Sequence, residues 1–195
     1  MLPIVIAYLI GSISGSYIIS KFFLHDDIRQ HGSGNAGTTN AMRTYGKKIG
    51  ALTFLIDFFK GVFGMLVVQA LVGESQDLLY ISALALVVGH DFPFYMNFKG
   101  GKGVASTIGC FSVLGFVYDL IAVCLWNAVA WTTKYASLAS IVYYLAVAML
   151  FIVGKNLSLL SAFMVIAISL LGILRHHQNI RRLLNHTESK IGEKK

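Results

Sequence analysis

At 195 residues the chain has single-domain length, but 56% of it is hydrophobic and only 13% charged, against about 25% charged in soluble domains. Those proportions exclude a soluble globular protein and point to an integral membrane protein. The net charge of +7 fits loops and a tail that meet anionic lipid, not a nucleic-acid partner.

Residues 2–20 read as a first membrane helix. Gly11, Ser12, Ser14, Gly15 and Ser16 suit close packing against neighbouring helices. No basic n-region or convincing cleavage pattern accompanies it, so it reads as a retained helix and not a signal peptide. A polar block follows over 24–48, with glycines at 32, 34 and 37 that argue against a helix there. Thr39 to Tyr45 is predicted as a short interfacial helix.

Residues 49–73 are apolar apart from Asp57 and Lys60, which share a helix face. Such a pair either ties helices together or edges an active cleft. After a turn at Gly73 to Asp77, the apolar window 78–89 is short. Phe92, Phe94, Tyr95 and Phe98 extend it, and Pro93 ends or kinks any helix there. The window 104–131 is apolar but for Asp119, and 136–153 and 157–174 follow. A basic tail closes the chain with Arg175, Arg181, Arg182, Lys190, Lys194 and Lys195. Cys110 and Cys124 lie in apolar stretches without metal or redox spacing. No repeat or domain boundary is visible, so 1–195 reads as one domain.

Charge bias constrains the crossings. The block 24–48 and the tail are both basic, so both belong on the cytoplasmic side. The five apolar windows between them would leave them on opposite sides. Splitting 104–131 near Gly115 and Asp119 repairs this and gives an all-α polytopic protein with seven transmembrane helices. Its N-terminus is then external and its C-terminus cytoplasmic. The cost is two halves of about 14 residues, below the usual minimum of roughly 17. The alternative makes 78–98 re-entrant and leaves five crossings. Both place the three polar clusters on the cytoplasmic side.

Those clusters carry the chemistry. Gly100, Gly101, Lys102 and Gly103, with Lys99 beside them, offer backbone amides and a point charge to an anion. A helix starting at Val104 would add its N-terminus. A membrane-entry turn explains the same run. Ser33, Asn35, Thr38, Thr39, Asn40 and Arg43 suit a polyol phosphate, hydroxyls and amides for the alcohol and guanidinium for the phosphoryl oxygens. A glycine-rich capped loop is the plainer reading. Arg175 to Arg182 reads as a positive-inside anchor, although His176, His177 and Asn179 exceed what an anchor needs. No acidic or cysteine set matches the histidines, so no metal is expected.

Three segments in order make the chain recognisable: Gly32 to Arg43, Gly89 through Lys99 to Ala105, and Arg175 to Leu183 with Glu188. They resemble the three motifs of the bacterial membrane glycerol-3-phosphate acyltransferases that use acyl-phosphate as donor. Thr38 and Ser106 stand where that family usually has alanine, and Asn185-His186 where its third motif often has a glycine. The resemblance implies seven helices, an external N-terminus and a multi-pass protein of the bacterial cytoplasmic (inner) membrane with its active site facing the cytoplasm. It implies transfer of a fatty acyl group from acyl-phosphate to the 1-hydroxyl of sn-glycerol 3-phosphate, an early step of phospholipid synthesis. The substrates would be those two compounds, with no cofactor, and the protein would function as a monomer.

By the same resemblance, Ser33, Arg43, Lys102, His177 and Asn179 are the candidate catalytic residues. Asn35, Thr38, Asn40, His90, Lys99, Arg175, Arg181 and Glu188 are candidate substrate contacts, and the amides of Gly100, Gly101 and Gly103 would cradle the acyl-phosphate head. An acyl-phosphate is already activated, so direct attack by the acceptor hydroxyl is expected, with His177 or His90 as alternative general bases. An acyl-enzyme on Ser33 or Cys110 is a third route. A transporter of a small phosphorylated metabolite is the rival function.

Overall fold

The computed structural model describes residues 1–193 and is built of helices and connecting turns; Lys194 and Lys195 of the basic tail lie outside the described residues. The helices are α1 (Leu2–Ser12), α2 (Gly15–Ile18), α3 (Thr38–Tyr45), α4 (Lys47–Val72), α5 (Gln76–Asp91), α6 (Val104–Thr133), α7 (Ala136–Gly154), α8 (Leu159–Arg175) and α9 (His177–Leu184). A π-helical turn, Ile19–Phe23, prolongs α2. The interfacial helix expected from Thr39 begins one residue earlier, at Thr38.

Among the described residues, four helices are long and apolar enough to cross a membrane. There are six if the pairs α1 with α2–Phe23, bent by 47°, and α8 with α9, bent by 55°, each count as one span. The segment Gln76–Met96 is one of the four, so 78–98 need not be re-entrant as the five-crossing alternative required.

The long window was expected to divide near Gly115, and α6 leaves helical geometry there (φ −174°, ψ 73°). Contacts with α7 show the direction of each arm. In the first arm the Phe111 ring meets Phe151 edge-on at 4.7 Å, and Leu114 O accepts from Lys155 Nζ. In the second, Tyr118 OH donates to Gly154 O at 2.5 Å, and Trp126 Nε1 to Ser140 Oγ at 3.2 Å. The first arm therefore runs with α7 and the second against it. A straight helix from Val104 to Asn127 would span about 36 Å, yet both residues border one cavity. Asp119 lies in the second arm, where it accepts from Tyr143 OH at 2.7 Å.

The first arm packs backbone to backbone on α4. A Cβ on Gly109 would lie 2.1 Å from Phe58 O, and one on Gly61 would lie 2.5 Å from Ser106 O. Only glycine at both positions permits this approach. Tyr80, Phe111, Tyr143, Tyr144 and Phe151 fill the interior, while Phe59, Phe63, Trp131 and Val153 point outward. Large apolar side chains facing away from the bundle are what a lipid-facing surface needs.

Asp57 and Lys60 serve both readings of their spacing. The helix break between α1 and α2 frees Ile13 O and Gly15 N–H. Lys60 Nζ donates to Ile13 O, Gly15 N–H donates to Asp57 Oδ1 at 3.2 Å, and the two side chains pair at 3.1 Å. A break inside the bilayer needs such partners, because no water is there to supply them. Asp57 also borders the cavity.

Candidate active site

The loop after α5 is shaped by its own backbone. Asn97 and Phe98 take positive φ (53° and 57°), as does Gly103 (74°). Gly100 N–H donates to Asp91 O and Gly101 N–H to His90 O, each at 3.1 Å. Arg175 donates to Gly101 O at 2.7 Å and lies over the Phe92 ring at 4.9 Å. Tyr144 OH donates to Lys102 O at 2.9 Å. Fastened on three sides, the loop aims Lys102 into the cavity.

There Lys102 Nζ donates to Asn179 Oδ1. Asn179 Nδ2 donates to Glu188 Oε1 at 2.7 Å, as does Ser137 Oγ at 2.9 Å. Arg182 Nε donates to Glu188 Oε2 at 2.6 Å. Burial raises the Glu188 carboxyl, but the bonds from Asn179, Arg182 and Ser137 outweigh it and hold the group below its ordinary value. Burial, and then the Arg182 guanidinium, bring Lys102 down to about 8; Glu188 opposes them, and Arg175 and Arg43 reinforce them. The first amides of α6, from Val104, face the same space without intrahelical acceptors.

The opposite polar wall comes from the first cluster. Asn40 is buried and holds the loop, donating to Ile28 O (3.2 Å) and His31 O (2.9 Å) and accepting from Ser33 N–H (3.0 Å). Ser33, Asn35, Thr38 and Arg43 line the cavity, and the Arg43 guanidinium donates to Ser189 O at 2.9 Å. The cavity has a volume of about 400 Å³. Phe54, Ile108, Val123 and Trp126 give it an apolar wall between α4 and the two arms of α6.

Ten of the candidate residues thus meet around one space: Ser33, Asn35, Thr38, Asn40, Arg43, His90, Lys102, Gly103, Asn179 and Glu188. Six do not. The amides of Gly100 and Gly101 are spent on backbone acceptors, so they cannot cradle a ligand. Arg175 fastens the loop from behind. Lys99 is exposed at a separate depression beside Arg29 and Gly34. Arg181 is exposed on α9. His177 is exposed as well, with Nδ1 against Leu174 O at 2.9 Å, because the bend between α8 and α9 turns it away. His176 occupies the cavity wall instead, with Nδ1 on Gly172 O at 2.7 Å. Ser137 and Trp126 also line the cavity. Nothing in their apolar helices marks them in the sequence.

The comparisons with known proteins bear on this arrangement. The family model described as Glycerol-3-phosphate acyltransferase matches residues 1–186. The chain belongs to that family. Among its relatives, Glycerol-3-phosphate acyltransferase 2 of Thermotoga maritima is 42% identical, over 96% of this chain and 94% of that one. The Clostridioides difficile glycerol-3-phosphate acyltransferase is 43% identical, over 98% and 95%. The crystal structure of PlsY, an integral membrane glycerol 3-phosphate acyltransferase, in its glycerol 3-phosphate form superposes with a TM-score of 0.92 at 37% identity, covering 98% of this chain and 94% of that one. Its lysophosphatidic acid form gives 0.87 at 36% identity, with the same coverage. The acyltransferase fold is therefore the fold of this chain over nearly its whole length.

Proposed function

We propose that this acyltransferase moves a fatty acyl group from acyl-phosphate to the 1-hydroxyl of sn-glycerol 3-phosphate. The products are 1-acylglycerol 3-phosphate and inorganic phosphate. One observation carries the reading. Lys102, Arg43 and the N-terminus of α6 converge on a cavity whose other wall is apolar. That combination suits two phosphate-bearing substrates, one of which has a hydrocarbon tail.

The hydroxyl oxygen of glycerol 3-phosphate attacks the acyl carbonyl carbon. The bond from that carbon to the phosphate oxygen breaks, and the hydroxyl proton passes to the departing phosphate. No protein nucleophile is needed, because the mixed anhydride is already activated. Lys102 and Arg43 hold phosphate oxygens, and Ser33 and Asn35 contact the polyol. Asn179 and Glu188 set the Lys102 ammonium in place. Catalysis then comes from positioning and charge stabilisation. The reversal in α6 supports seven crossings. With the basic block 24–48 and the basic tail on the cytoplasmic side, that parity supports an external N-terminus and a cavity open to the cytoplasm, in keeping with a bacterial inner-membrane enzyme. One chain supplies every residue used, so the monomer is the working unit.

The test is acyl transfer by purified protein given glycerol 3-phosphate and either acyl-phosphate or acyl-CoA. Lysophosphatidic acid should form from acyl-phosphate alone. Equal use of acyl-CoA would overturn the donor assignment. Carrier-type uptake of glycerol 3-phosphate into liposomes, without any acylated product, would overturn the enzyme.

A further inference from the structure

We propose that His90 donates a hydrogen bond to the acyl-phosphate from Nε2, and that Lys60 is the positioning residue that locks the imidazole in the required tautomer. The identity of the acceptor rests on the proposed reaction; the tautomer does not.

The Lys60 ammonium has three N–H groups and no acceptor. It has three neighbours able to accept: Ile13 O, Asp57 Oδ1 at 3.1 Å and His90 Nδ1 at 2.7 Å. Each takes one hydrogen. His90 Nδ1 must then present its lone pair, because a hydrogen there would point at another hydrogen. The ring is therefore neutral and carries its hydrogen on Nε2. Asp57 Oδ1 lies 3.7 Å from Nδ1, too far to compete for that position.

The Nε2 edge has no acceptor among the described residues, and His90 borders the cavity. The Gly101 backbone passes beside that edge, and a Cβ there would lie 2.0 Å from Nε2, so only glycine at this position leaves Nε2 room for a ligand oxygen. His90 also presents its backbone carbonyl to Gly101 N–H at 3.1 Å. The imidazole and the Lys102 loop are thus held in one register. A group in this state stabilises an oxygen by donation and has no free lone pair with which to act as a base. Asp57 and Lys60 thereby connect the break in the first span to the catalytic cavity.

Two measurements test this. The first is nitrogen NMR of the wild-type protein in detergent micelles with ¹⁵N-labelled histidine, the His90 signals being identified by their loss in His90→Asn. At neutral pH, Nε2 should be protonated and Nδ1 not, and a non-hydrolysable acyl-phosphonate should shift the Nε2 signal. The opposite tautomer, an imidazolium or an unshifted signal would each overturn the proposal. The second uses kinetics. Gln places an amide N–H near the position of Nε2, and Asn does not. Acyl-donor kcat/KM should fall about 100-fold in His90→Asn and no more than about 10-fold in His90→Gln. Equal losses would overturn the donor role. If the wild-type protein turns over no acyl-phosphate, the reaction assignment fails, while the histidine spectrum still decides the tautomer.

Discussion

Lys102 Nζ donates to the side-chain oxygen of Asn179, and the amide nitrogen of Asn179 donates in turn to Glu188 at 2.7 Å. The Glu188 carboxylate therefore orients the Asn179 amide, and the amide presents its oxygen to the lysine. One N–H of Lys102 is spent in this way, and two remain for phosphate oxygens.

Replacing Lys102 by Met keeps the length of the side chain and removes the charge. Activity should fall by about 10²–10³-fold, the scale seen when one electrostatic contact to a reacting group is lost. Lysophosphatidic acid formation by protein of unchanged helicity measures this. Activity within tenfold of wild type would remove Lys102 from the reaction.

The depressed Lys102 value of about 8 sets a pH dependence. The cationic form, the one able to hold a phosphate in the proposed reaction, predominates below that value and is lost above it. KM for glycerol 3-phosphate should therefore rise above pH 8, approaching tenfold per pH unit once deprotonation is advanced. Lys102→Arg remains charged throughout this range, so its residual activity should lack that limb. Initial rates between pH 6.5 and pH 9.5 distinguish the two profiles.

Glu188→Gln leaves Asn179 and Ser137 sharing one oxygen, as they already share Oε1, but makes that oxygen neutral and puts a donor NH2 where Oε2 accepted from Arg182. A charge-assisted bond of this kind contributes about 1.5–3 kcal/mol. The variant should melt on the order of 5 °C lower and show a raised KM, since Lys102 loses its fixed partner. An unchanged melting curve by differential scanning fluorimetry would contradict this role.

The neighbouring histidines separate cleanly. His177→Ala should keep activity within about twofold, because the side chain is exposed and outside the cavity. His176→Ala opens the cavity wall and removes the bond to Gly172 O, and should lower kcat/KM by at least about tenfold. Parallel assays of the two variants suffice.

Lys60→Met leaves Asp57 buried without its partner and should destabilise the protein by about 3–5 kcal/mol. Adding Asp57→Asn removes the orphaned charge, and the double variant should recover a large part of that loss. Thermal unfolding in detergent of the single and double variants reads the coupling directly.

The residues by themselves determined the membrane class, the position of most spans and the gathering of polar clusters on one side. These properties follow from sums along the chain, namely hydropathy over a window and basic charge in a loop. The polar clusters around Lys102, Arg43, Ser33 and Asn179 were conspicuous between apolar segments, but the family resemblance picked these residues out within them, together with His177, which the structure turns away from the cavity. Tertiary structure alone decided the rest. Window hydropathy is the same whether α6 continues or reverses, so the break at Gly115 could be anticipated only from charge parity. Its direction is shown by contacts to Phe151, Gly154 and Lys155. His176 and His177 are chemically identical, and the 55° bend between α8 and α9 decides which one faces the cavity. The Gly100 and Gly101 amides resemble any glycine-loop amides in sequence, yet the carbonyls of His90 and Asp91 occupy them. Each of these outcomes depends on partners brought together across helices, and packing, not composition, selects those partners.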